Sequence, residues 1–179
     1  MARYSTALLF GALCGASVLS SPAFAEVSAS RADVAQRGSD VMPFSLAATT
    51  HIFTKTADGG VQRVVTKQTD PKQVALIRQH LAVIAQQFSK GDFAGPEHIH
   101  GKNMPGLEAL RAAKPGELKI DYRDLPNGGE ISYRTQQPRL VAALHQWFDA
   151  QLSDHGHDAM AGPHSDMHHH ASGMPSKSE

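Results

Sequence analysis

A strand, a Gly-Gly turn, a second strand and a proline-started helix occur twice in this chain. That order restricts the fold more than any other feature of the sequence. In the first half Thr49-Thr-His51-Ile-Phe-Thr-Lys-Thr56 is β-branched and aromatic, Asp58-Gly-Gly60 is a turn signal, and Val61-Gln-Arg-Val-Val-Thr-Lys67 returns. Asp70 then offers an N-cap and Pro71 a first helical residue. Val74, Ile77, Leu81, Ile84 and Phe88 follow at three- and four-residue spacing, and Gly91 stops the helix. In the second half the strands are 117–123 and 130–135, with Pro126-Asn-Gly-Gly129 between them. Pro138 opens a helix with Leu140, Val141, Leu144, Phe148 and Leu152 on one face. Gly59-Gly60 matches Gly128-Gly129, Pro71 matches Pro138, and Val74 matches Val141. The repetition predicts an α+β domain. Two ββα units, related by duplication, form a four-stranded antiparallel sheet with helices packed on one face. A short helix over 106–113 falls between them.

Outside this core the chain changes character. Arg3 precedes an apolar run, 7–19, that is too short to span a bilayer comfortably. Ser20-Ser-Pro-Ala23-Phe-Ala25 supplies small residues where a signal peptidase reads. The expectation is a secretory signal peptide cut after Ala25, and hence a periplasmic or secreted protein with no membrane span after cleavage. A lipoprotein reading of Cys14 is weaker, because bulky Leu13 precedes it. Residues 26–45 are polar and small without a period and read as a flexible linker. Residues 46–154 form the single domain, and 155–179 a disordered tail rich in histidine and methionine.

Cys14 is the only cysteine, so the mature chain has neither disulfide nor thiolate metal site. Lys and Arg total 17, as do Asp and Glu, so removing Arg3 leaves a nearly neutral chain. Nothing in that balance points to nucleic acid, and export argues against it independently.

The histidines carry the functional reading. The tail holds His155, His157, His164, His168, His169 and His170, with Met160, Met167 and Met174 interleaved. Imidazole suits Cu(II), and thioethers suit Cu(I) but not zinc, calcium or magnesium. Within the domain, His98-Ile-His100-Gly-Lys-Asn-Met104 reads as an extended loop. Alternate side chains of an extended segment share a side, so His98 and His100 would face one ion with Met104 as a third ligand. His51 or His145 would supply a fourth. His80 and His145 each lie about 70° from the centre of their helix's apolar stripe, at the edge of the core. An interfacial histidine that merely packs its ring satisfies the same pattern.

Other chemistries are less well supported. No nucleophile elbow, phosphate-binding glycine loop, His-Glu-x-x-His or haem-attachment Cys-x-x-Cys-His is present. A histidine-based enzyme remains the alternative, with Asp92, Glu97 or Asp121 orienting an imidazole. Non-covalent haem held by His and Met is another, though aromatic residues are few for such a pocket.

Thr49-Thr-His51-x-Phe53-Thr54, Leu76-Ile-Arg-x-His80-Leu, Gly91-Asp-Phe93, Ile99-His-Gly101-x-x-Met104-Pro-Gly-Leu107 and Ala143-Leu-His145-x-Trp147-Phe-Asp-Ala-Gln-Leu152 together resemble a family of small exported proteobacterial proteins. The resemblance covers residues 46–158. Members often carry the name aspartate carbamoyltransferase, an activity the residues here do not support. That activity belongs to a longer, doubly wound fold with a phosphate-binding Ser-Thr-Arg-Thr, and Tyr133-Arg-Thr135 in a hairpin strand is not that motif. The resemblance implies no mechanism, but it places His51, His80, His98, His100, Met104 and His145 in its blocks. The sequence therefore predicts a copper-binding protein for buffering or delivery, partnered by a metal ion and by a periplasmic metal transporter or cuproprotein.

Overall fold

The computed structural model describes residues 23–163. Residues 1–22, which make up most of the expected signal peptide 1–25, and His164, Met167, His168, His169, His170 and Met174 lie outside the described residues.

Both ββα units are present. Strands β1 (Thr49–Thr56) and β2 (Gly59–Thr66) lead into helix α2 (Pro71–Ser89), and β3 (Leu118–Leu125) and β4 (Gly128–Thr135) lead into α5 (Pro138–His155). Helix α1 (Ala23–Val41) precedes them, and α3 (Ala94–His100) and α4 (Leu107–Arg111) lie between the units. The two hairpins join through β2 and β4 in an antiparallel register that places Val64 opposite Gly129 and Gly60 opposite Tyr133. Each Gly-Gly pair thus sits at the same place against the other hairpin. The glycines make room for helices. A Cβ on Gly60 would lie 2.4 Å from Phe148 Cε2, and one on Gly129 would lie 3.0 Å from Leu81 Cδ1.

The α+β class holds, but the sheet is not purely four-stranded and antiparallel. A short fifth strand, β5 (Ala159–Ala161), runs parallel to β1, and the order is β3-β4-β2-β1-β5. Its three residues fall within the expected tail, where small residues carry no strand pattern. Pairing with the free edge of β1, not side-chain propensity, recruits them.

Helix formation follows local chemistry. The Asp70 carboxylate accepts the Gln73 N–H at 3.1 Å, Pro71 fills the first helical position, and Ile77, Leu81, Ala85 and Phe88 are buried. On α5 the buried face is Leu140, Ala143, Leu144, Trp147, Phe148 and Gln151. The leucine, isoleucine and phenylalanine side chains among these contribute about 1.5–3 kcal/mol each on burial. On the opposite sheet face Arg63 and Arg123 both pair with Glu130, directly across the register from each.

Residues 26–45 also differ from the linker expectation. Val34 and Gly38 are buried on α1, and Arg37 Nε donates to Ile99 O at 2.7 Å. Val34, Gly38 and Val41 fall at helical spacing, a stripe too short and too diluted by small residues to register as a period. No helix among the described residues is long and apolar enough to cross a membrane.

Candidate functional site

The segment around His98 is a helix, not an extended loop. Asp92 Oδ1 accepts the Ala94 N–H at 3.0 Å, and Pro96 sits in the first turn, where its missing N–H costs nothing. Successive residues therefore turn by about 100° and not by about 180°. His98 and His100 diverge: His98 is exposed, Ile99 is buried, and the His100 side chain is 2 % exposed. Gly101 ends the helix at φ 91°. Met104 turns into the hydrophobic core, and Gly106, at φ 78°, brings the chain against α5, where a Cβ would lie 2.0 Å from Ala143 O. The His98–His100–Met104 triad is thus not formed.

His145 is separate as well. Its Nε2–H donates to Thr56 O (3.0 Å) and Gly59 O (2.9 Å), fastening α5 to the first hairpin. His157 is exposed.

Four other histidines meet. His51, His80, His100 and His155 line one half-open cavity of about 60 Å³ between the sheet, α2, α3 and α5, with Val41 at the end of α1 and the following Met42 at its rim. Strand alternation explains His51, since Thr49, His51 and Phe53 share the helix-facing side of β1. Helical spacing explains α5, where Trp147, Gln151 and His155 recur every four residues and all line the cavity. The His51 and His155 rings stack at 5.0 Å, and His100 meets His155 edge-on at 5.1 Å. Phe44 lies against both His51 (6.1 Å) and His80 (5.6 Å).

Hydrogen bonds fix two of the four rings. His100 Nδ1–H donates to Asp154 Oδ2 at 2.8 Å, leaving the Nε2 lone pair. His155 Nε2–H donates to Gln151 Oε1 at 3.1 Å, leaving Nδ1. His51 Nε2 is buried without a partner.

Burial holds these rings neutral. It is the main cause that lowers His51 to about 3, reinforced by neighbouring His155, His80 and His100. Burial likewise lowers His155 to about 4, with His100 adding to the shift and Asp154 and Asp158 opposing it. His80 is lowered by burial alone. His100 is lowered by burial too, against the opposing pull of its Asp154 hydrogen bond.

The arrangement is imidazole-rich but not a preformed cage. Among the described residues, no three His, Cys, Asp or Glu side chains are grouped so as to hold a metal ion. The rings pack face to face and edge to face instead.

His51, His80, His100 and His155 are all among the sequence candidates, but His100 lies beside Asp154 and His155 instead of His98 and Met104, and His155 ends α5 instead of opening the tail. Asp154, Gln151 and Trp147 are not among those candidates. The four-residue spacing from Trp147 to His155 was the available signal, since it carries the α5 stripe one turn past the apparent domain edge. No protein-family model, curated protein or solved structure matches this chain.

Proposed function

We propose that this protein binds a metal ion, with copper the ion its donors suit, in the cavity formed by His51, His80, His100 and His155, and that it buffers or delivers that ion in an exported compartment. The observation that supports this reading is the unpartnered, buried Nε2 of His51 among three further half-buried imidazoles. A neutral imidazole is the ligating form, and burial keeps these four neutral. Asp154 on the far nitrogen of His100 is the carboxylate–histidine arrangement that orients a metal ligand and raises its basicity. Gln151 sets the His155 ring in the same way.

The donor set disfavours calcium and magnesium, which want several oxygens. Imidazole suits copper, nickel and zinc alike. The Met42 side chain at the cavity wall tips the choice toward copper, because a thioether is a soft ligand for Cu(I). Cu(I) accepts low coordination numbers, and seating it requires the His51 and His155 rings to rotate out of their stack. A cavity of about 60 Å³ holds an ion and a small co-ligand but not a porphyrin, which sets this reading above haem.

The test is chelator competition for copper on the full mature chain. Parallel chains would carry His51→Ala with His155→Ala, His98→Ala, or His164, His168, His169 and His170 all changed to Ala. The proposal expects one tight ion that survives the tail and His98 substitutions. It expects affinity to fall on the order of 100-fold with the cavity pair, the scale on which ligand-shell losses act. Tight binding that survives the cavity pair, or disappears with the tail alone, would refute it.

A further inference from the structure

Unpaired buried donors indicate what a cavity is built to receive. Among the described residues, buried side-chain atoms without a partner are His51 Nε2, Trp147 Nε1 and Thr54 Oγ1. Two of these three residues, His51 and Trp147, line the same cavity, and they are only 3 % and 1 % exposed. An indole N–H donates and never accepts, and it does not ligate a metal. The metal reading therefore leaves Trp147 without a role.

The glutamines beside it extend the pattern. Gln62 Oε1 accepts from the Tyr133 hydroxyl at 2.8 Å, and Gln151 Oε1 accepts from His155 Nε2 at 3.1 Å. Both residues line the cavity, and with their oxygens engaged their amide N–H groups are what they have left to offer. This end of the cavity is rich in donors. The nearby charges are Arg37, which is fastened to Ile99 O at the α1–α3 contact, Asp154, which is engaged by His100, and Asp158, which Lys67 meets at 3.5 Å. The donors call for a compact acceptor. The volume of about 60 Å³ limits it to a few heavy atoms.

We propose that the cavity binds a small monoanion of the size of azide, formate or nitrite, held by the indole N–H of Trp147 with the amide N–H groups of Gln62 and Gln151 beside it. The anion uses the donor end, whereas a metal uses the imidazole end, so this inference stands apart from the metal reading.

Trp147 is the only tryptophan in the chain, so a ¹⁵N-labelled sample has one indole N–H resonance. The experiment titrates formate, then azide, into metal-free full-length protein at constant ionic strength and follows that resonance. The titration is then repeated on the copper-loaded form. A saturable downfield shift in either form is expected. Trp147→Phe, read through ¹³C-formate line broadening, is expected to weaken binding on the order of tenfold, the effect of losing one hydrogen bond to a charged acceptor. A resonance that does not move, or that drifts linearly with no saturation in both forms, overturns the proposal even if copper binds. A saturable shift in protein that fails to bind copper upholds this inference and removes the metal reading.

Discussion

Acidification is the perturbation that most directly probes the histidine cavity. His51 is held neutral to about 3 and His155 to about 4, against an ordinary value of 6.5. Both are shifted downward, so the unfolded chain takes up protons at these positions where the folded chain does not. The stability these groups contribute is complete above about pH 6.5 and is lost as pH falls toward the folded values. Each histidine steepens the loss by about 1.4 kcal/mol per pH unit, and for His51 the whole shift is on the order of 5 kcal/mol. By about pH 4.5 each histidine has cost nearly 3 kcal/mol by this measure, so the pair removes roughly 5 kcal/mol of the about 5–15 kcal/mol that a domain of this size holds.

Denaturant unfolding at intervals between about pH 7 and pH 5, followed by the fluorescence of Trp147, reads this directly. The wild-type unfolding free energy extrapolated to water is expected to fall by at least about 2.5 kcal/mol per pH unit near pH 5.5, with His80 and His100 adding to the slope. His51→Phe keeps a ring against Phe44 and removes one proton site, so its slope should be shallower by about 1.4 kcal/mol per unit. At neutral pH this variant should be equal to wild type or about 1 kcal/mol more stable, since an unpaired buried nitrogen is gone. A wild-type profile that is flat across this range, or a variant with an unchanged slope, would show that the cavity admits water and protons freely and that its histidines are not held neutral by burial.

Other substitutions test the frame around the site. Gly60→Ala forces a methyl to 2.4 Å from the Phe148 ring and is expected to cost about 1–3 kcal/mol in urea unfolding. Gly106→Ala should cost about 3 kcal/mol or more, because the clash is with backbone at 2.0 Å and φ is 78°. Glu130→Gln removes the carboxylate shared by Arg63 and Arg123 and is expected to lower the thermal midpoint by an amount worth about 1–3 kcal/mol. Since those arginines hold Glu130 below its usual range against the cost of burial, its contribution is present above about pH 4.5 and fades as pH falls. His98→Ala, at an exposed position, should change stability by no more than about 0.5 kcal/mol.

The parts of the fold that were legible in sequence are those governed by local rules. Asp70-Pro71 and the stripe from Ile77 to Phe88 named α2, and the two Gly-Gly turns named both hairpins. The site was only half legible, for three physical reasons. His98-x-His100 alternates like a strand, but Asp92 and Pro96 start a helix there, and the helix separates the two rings. Met104 looks like a soft ligand in sequence but is an apolar residue in a core that accepts it. His51, His80, His100 and His155 come from four elements, and no spacing rule relates residues that meet only through tertiary packing.

The end of the domain makes the last point in a testable way. A boundary drawn after Asp154 looks natural, because the polar run Asp154-His-Gly-His-Asp158 carries no apolar period. Yet His155 stacks on His51, Lys67 reaches Asp158 at 3.5 Å, and Ala159 pairs with His51 on the edge of β1. Gly162 N–H then donates to Phe53 O at 2.8 Å. Ending the chain at Asp154 removes one wall of the cavity and strips the cover from an edge strand, whereas ending it at Pro163 removes neither. The shorter chain should therefore lose cavity binding of copper and of formate together, and the raised exposure of β1 should appear as faster amide exchange at Thr50 to Phe53 and a tendency to associate. The chain ending at Pro163 should keep both ligands and the slow exchange. Equal behaviour of the two truncations would mean that residues 155–163 do not hold the cavity closed, and the four-histidine site would lose its structural basis.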